Sequence, residues 1–125
     1  MSSSKLHQFE GQKYLSLQTF RKNGTPVDTP VWFAQDGEVF YVYSLANAGK
    51  VKRIRNNPRV KVIPCDMRGN TKGEWVDANA RIVDEPEAER AHKLLNKKYG
   101  LAKRIGGLYS KLLNRERTTI AIEFS

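Results

Sequence analysis

The run Ser44-Leu45-Ala46-Asn47-Ala48-Gly49-Lys50-Val51-Lys52-Arg53 holds the densest chemical content of the sequence. Small and polar residues lead into a stretch where Val51 and Ile54 recur at helical spacing with basic residues between them. That pattern predicts a short amphipathic helix, ended by Pro58. The first turn of a helix presents backbone N–H groups with no internal partner, and the helix dipole makes that end partly positive. Lys50 and Arg53, one turn apart, add charge on the same face, and the combination suits a phosphate. Two plainer readings stand beside it. Lys50, Lys52, Arg53 and Arg55 also describe a solvated helix face, or a helix that touches nucleic acid phosphates.

Catalysis by side chains alone has little to work with. The histidines are His7, near an N-terminus expected to fray, and His92, inside an amphipathic helix, and neither has a motif around it. Cys65 is the single cysteine, which excludes an intrachain disulfide and a thiolate metal cluster and suits a small buried apolar group. No nucleophile elbow, zinc-protease helix, Walker-type loop or dinucleotide fingerprint occurs. No residue is therefore assigned as catalytic and no metal site is expected. If the chain is an enzyme, a cofactor does the hard step.

The elements that must position these residues read as mostly β. Residues 14–19 alternate, with Tyr14, Ser16 and Gln18 on one side and Leu15, Leu17 and Thr19 on the other. Asn23-Gly24 signals a hairpin into a strand over 27–33, and Asp36-Gly37 signals another into 38–43. Strands are also predicted over 59–64, about 74–83 and 118–124, the last with Ile120, Ile122 and Phe124 on one face. Asp84-Glu85-Pro86 opens a helix whose apolar stripe is Ala88, Ala91 and Leu95 and which Tyr99-Gly100 is expected to close. A basic, helical piece is expected over 101–114. Short antiparallel strands with helical inserts indicate a closed or split β-barrel, because closure removes exposed edges.

The chain has 125 residues, 39% hydrophobic and 28% charged, which suits a single domain over 1–125 with one core. No apolar run is long enough to cross a membrane and none follows the first residues as a secretory signal, so a cytoplasmic protein is expected. The formal net charge of +9 favours anionic partners without choosing among them. Phe40, Tyr41 and Tyr43 give some footing to single-stranded nucleic acid, but Phe40 and Tyr41 must face opposite sides of their strand, and no alternating aromatic–basic platform results. Trp32 and Trp75 are read first as packing residues, with Trp32 also able to wall a cleft.

The ordered set 21–33, Asp36-Gly37, Tyr43-Ser44 and 49–60, within a match that runs from Tyr14 to Val83, resembles the pyridoxamine 5'-phosphate oxidase-like FMN-binding split-barrel superfamily. Within it the chain is most similar to the small enzymes called PPOX-class F420-dependent oxidoreductases, which Lys98-Tyr99-Gly100 also fits. The resemblance implies a six-stranded split barrel, mainly β with short α inserts, that forms a homodimer with cofactor clefts between subunits. It implies hydride transfer between coenzyme F420, or FMN, and a small organic acceptor. The backbone of Thr29, Pro30, Val31, Trp32 and Phe33 would meet the cofactor ring, and Tyr43, Ser44 and Lys50 would hold its phosphate; Asn47 and Arg53, on the same run, are expected to help. Lys97, Lys98, Lys103 and Arg104 would help retain an anionic cofactor tail. Gly49 and Thr29 stand where the pyridoxamine phosphate oxidases proper carry arginines, which points away from that reaction. A non-catalytic flavin- or F420-binding carrier or stress protein shares the same look, and a basic nucleic-acid-binding barrel is the more distant rival.

Overall fold

The structure, a computed structural model, describes residues 3–45, 48–105 and 117–124. The chain opens with α1 (Ser3–Leu6) and a 3-10 turn (His7–Phe9), then runs through β1 (Tyr14–Phe20), β2 (Pro26–Trp32), β3 (Ala34–Asp36) and β4 (Val39–Leu45). It continues with α2 (Gly49–Asn56), β5 (Arg59–Cys65), β6 (Val76–Ile82), α3 (Glu85–Ile105) and β7 (Arg117–Glu123). The strands form one seven-stranded antiparallel sheet in the order β2-β1-β5-β6-β7-β4-β3.

The curl of this sheet follows from its topology. β2 and β3 lie at opposite borders of the sheet, yet only Phe33 separates them along the chain. Trp32 and Ala34 are two Cα steps apart, at most about 7 Å, so the two borders must meet there. The sheet closes on itself into a half-barrel of the split-barrel kind. The count is seven strands rather than six because the run 26–36 is broken at Phe33 and pairs on both sides of the closure. The hairpin at Asn23-Gly24 forms as its residues require: Gly24 has φ 88°, a value few other residues tolerate, and Asn23 Oδ1 accepts from the Thr25 N–H at 3.0 Å.

Inside the barrel lie Leu15, Leu17, Val60, Val62, Ala78, Ala80, Phe40, Val42, Ile120 and Ile122, all buried. α2 covers one end of this core with Val51 and Ile54. α3 packs on the outer face, where Ala91 meets Tyr41, Val83 and Ala121, and Leu95 meets Ala34. Cys65 is buried, as its solitary occurrence suggests.

The N-terminus departs from expectation. It is not frayed at this point: Leu6 and Phe9 enter the core, and the Phe9 ring lies 5.9 Å from Phe33 and 5.0 Å from Phe40. An isolated pair of apolar residues carries no periodicity, so the sequence gives no warning of this. Gln8 secures the turn by imitating a strand, its amide donating to the Glu74 carbonyl at 2.8 Å while its oxygen accepts from the Glu74 N–H at 2.9 Å. Gly73, at φ 106°, is the neighbour that makes room, since a Cβ there would collide with the Gln8 side-chain oxygen. α3 also runs on past Tyr99-Gly100 to Ile105. A glycine inside a helix costs only about 1 kcal/mol, which good helix formers on either side outweigh. The remainder of the expected basic helix, residues 106–114, lies outside the described residues.

Candidate functional site

The barrel opens where its two borders part. β3 and β4 pair as Ala34↔Tyr41, Gln35↔Phe40 and Asp36↔Val39. Carried on in register, this hairpin would set Trp32 opposite Tyr43 and Val31 opposite Ser44. β2 instead swings away to pair with β1, Trp32 with Tyr14 and Thr29 with Leu17. A split between β2 and β4 therefore begins at Phe33, beyond which no ladder joins the two strands. Its closed end is packed by Trp32 and Tyr43 against Ala34, Leu94 and Leu95. Along its length β2 shows an edge without a strand partner, and Pro26 and Pro30, which lack an N–H, suit that border.

Past the end of β4 the chain enters α2, and here the cations gather. Ala48 at the N-cap has no side chain with which to satisfy the first N–H groups of the helix. Burial, and then the like charge of Arg53, lower the Lys50 ammonium from its usual range. Burial, and then the like charge of Arg21, lower Arg53 in turn. Arg53 Nε donates to Thr19 Oγ1 at 2.6 Å, and Thr19 is fully buried at the end of β1. Gly49 leaves the space that the guanidinium fills, because a Cβ there would come within 2.8 Å of Arg53 Nη1. Arg53 thus lies within reach of the like charges of Lys50 and the exposed Arg21, with no carboxylate in salt-bridge range of Lys50 or Arg53 among the described residues. Such a cluster is electrostatically incomplete without an anion.

A family profile described as pyridoxamine 5'-phosphate oxidase matches residues 3–124. The chain belongs to this family. No curated protein matches it by sequence. Among solved structures it is similar to an F420 reductase, with 25% identity, a TM-score of 0.62 and coverage of 95% of this chain and 91% of that one. The heme storage protein HutZ from Vibrio cholerae shares 18% identity at a TM-score of 0.67, over 98% of this chain and 89% of that one. ChuZ from Campylobacter jejuni shares 17% identity at a TM-score of 0.73, over 98% of this chain and 52% of that one. These last two likenesses show the fold alone.

Within this pyridoxamine 5'-phosphate oxidase family barrel, the residues singled out from the sequence fall into three groups. Lys50 and Arg53 come together at the start of α2, and Ser44 is buried one strand-end away. Thr29 and Val31 share the inward side of β2 with their partners Leu17 and Leu15, Pro30 is exposed, and Phe33 is core, so this segment offers the split mainly its backbone. Trp32 and Tyr43 pack beneath α3, with the Tyr43 ring 5.1 Å from that of His92. Asn47 lies outside the described residues. Gly69, in the loop after β5, lies against the Pro30 ring.

Thr19 and Arg21 escape the sequence reading, although a polar residue in step with Leu15 and Leu17 is a signal that Thr19 has a special task. Lys98, expected to help retain an anionic cofactor tail, donates its amine to the Phe33 carbonyl; it continues the stripe Ala91–Leu95 by one further turn, which is the signal for it. His7 is exposed and bonded to Glu10 at 2.7 Å, away from the split. A surface groove of about 420 Å³ between Phe20, Asn57, Arg59 and Asp77 sits at the far end of α2 from Lys50 and is separate from the cluster. Among the described residues no group of His, Cys, Asp or Glu could hold a metal, and no helix is long and apolar enough to cross a membrane.

Proposed function

We propose that this chain is an oxidoreductase that binds coenzyme F420, or FMN, in the split and passes a hydride to a small organic acceptor. In this reading the whole chain, 1–125, acts as one domain and pairs into a homodimer. The observation that carries the reading is the pair Lys50 and Arg53 at an uncapped helix start, partly buried like charges that an anion would offset. A phosphate is the anion that both cofactors offer. The bound cofactor would supply hydride transfer at its ring; the protein's own residues bind, orient and exclude water.

Each part of the site has a definable task. Lys50 and Arg53 donate to the phosphate, joined by the open N–H groups of α2. Thr19 fixes the Arg53 side chain before the ligand arrives, which reduces the ordering cost of binding. The edge of β2 over residues 29–33 presents backbone donors and acceptors to the polar rim of a flat ring, and Ser44 closes the path between ring and phosphate. The F420 reductase among the similar structures supports the choice of cofactor. A carrier without turnover would use the same contacts.

The test is a parallel titration of the apo-protein with F420, FMN and hemin, read by fluorescence and absorbance. Binding of F420 or FMN is expected, and Lys50→Ala should weaken it by on the order of 1–3 kcal/mol, the cost of losing a charge-assisted hydrogen bond. Binding of hemin alone, or an affinity indifferent to Lys50→Ala, overturns the reading. Cofactor that binds and is reduced yet passes its hydride to no acceptor marks a carrier instead.

A further inference from the structure

α3 lays its apolar stripe along the outer face of the sheet, and the next residue of that stripe is Lys98. Its Nζ donates to the Phe33 carbonyl at 2.8 Å and stands 3.6 Å from the centroid of the Phe33 ring. Phe33 is the single residue between β2 and β3, the point at which the extended run leaves one border of the sheet for the other. Two contacts with an ammonium, one to the backbone and one to the ring face, therefore converge on the crossover itself. The residue as a whole is exposed, while its amine makes a part-buried contact, and burial lowers that amine to about 8. At neutral pH it is still an ammonium.

We infer that Lys98 is a positioning residue: its ammonium clamps the Phe33 crossover, sets the angle at which β2 leaves β4, and so fixes the width of the split. That the split receives a cofactor ring rests on the proposed function; that Lys98 holds its closed end does not. Helix α3, which already backs the closed end of the split through Leu94 and Leu95, thereby also holds the crossover itself. Loss of the clamp should loosen residues 31–36 and leave the phosphate cluster at α2 untouched.

The experiment compares wild type with Lys98→Met, which keeps the stem and removes the charge, and with Lys98→Arg, which keeps the charge. Amide hydrogen exchange on the apo-proteins should rise about tenfold at residues 31–36 in Lys98→Met, with β5 and β6 unchanged and protection largely restored in Lys98→Arg. Affinity for FMN or F420 should fall about fivefold or more in Lys98→Met, while the dissociation constant of inorganic phosphate stays the same. Unchanged exchange at residues 31–36 overturns the inference, as does a parallel loss of phosphate and cofactor binding. If wild type binds neither cofactor, the proposed function falls, and the exchange pattern still decides the role of Lys98. Should Lys98→Met fail to fold, Lys98→Gln is measured in its place by the same criteria.

Discussion

A methyl group at position 49 would come within 2.8 Å of Arg53 Nη1. The obstructed atom is the end of a flexible side chain, so the clash is relieved by moving the guanidinium, and Ala is favoured over Gly in a helix by up to about 1 kcal/mol. Gly49→Ala is therefore expected to leave the thermal midpoint level or slightly raised while it pulls Arg53 off Thr19 and weakens phosphate or cofactor binding about three- to tenfold. Equal affinity in the variant would show that the guanidinium does not need its present seat. Lys50 and Arg53 could be read from the sequence because they sit on one helix, where spacing alone sets neighbours. Thr19 betrays only that a polar residue falls in step with Leu15 and Leu17, and Arg21 nothing: both come to Arg53 from the end of β1, some thirty residues earlier, and local spacing does not say which residues meet there.

α3 is fastened to the sheet by a short charged network. Arg81 on β6 donates to both oxygens of Glu87 at 2.8 Å and to Glu123 on β7 at 3.0 Å, and the Tyr41 hydroxyl donates to Glu87 at 2.8 Å. The Arg81 hydrogen bonds, against the opposing effect of burial, hold the Glu87 carboxyl below its usual 4.5. A carboxyl with a lowered native pKa binds fewer protons than it does in the unfolded chain, so its stabilisation is complete above about pH 4.5 and fades as pH falls through the native value. Wild type should exceed Glu87→Gln in stability by about 1 kcal/mol or less near neutrality, the range of partly exposed ion pairs, with the gap closing below pH 4. Thermal melts of both proteins across pH 3–7 check this, and a gap that persists at pH 3 would contradict it. The start of α3 was legible, because acidic residues and Pro86 mark it. Its end was not: Gly100 resembles a stop, but a glycine inside a helix costs only about 1 kcal/mol, and the helix runs on to Ile105.

For the molecule as a whole, the alternation of the strands and the turn residues at Asn23-Gly24 and Asp36-Gly37 made a curled antiparallel sheet legible. The single crossover at Phe33 and the N-terminal plug of Leu6 and Phe9 were not, because each depends on where distant borders meet. The homodimer proposed above must also use the barrel's faces. Pro26 and Pro30 remove donors from the β2 border, and among the described residues Met67 is the one large apolar side chain left well exposed. Sedimentation equilibrium should return twice the chain mass, and the mass of one chain at micromolar concentration would refute the pairing. The crossover has a further consequence for how the chain can be cut. The run 26–36 is the one covalent stitch across the seam, so a chain opened at Gly24 should keep both borders sewn together, whereas a nick at Phe33 should leave two raw edges ready to join their like.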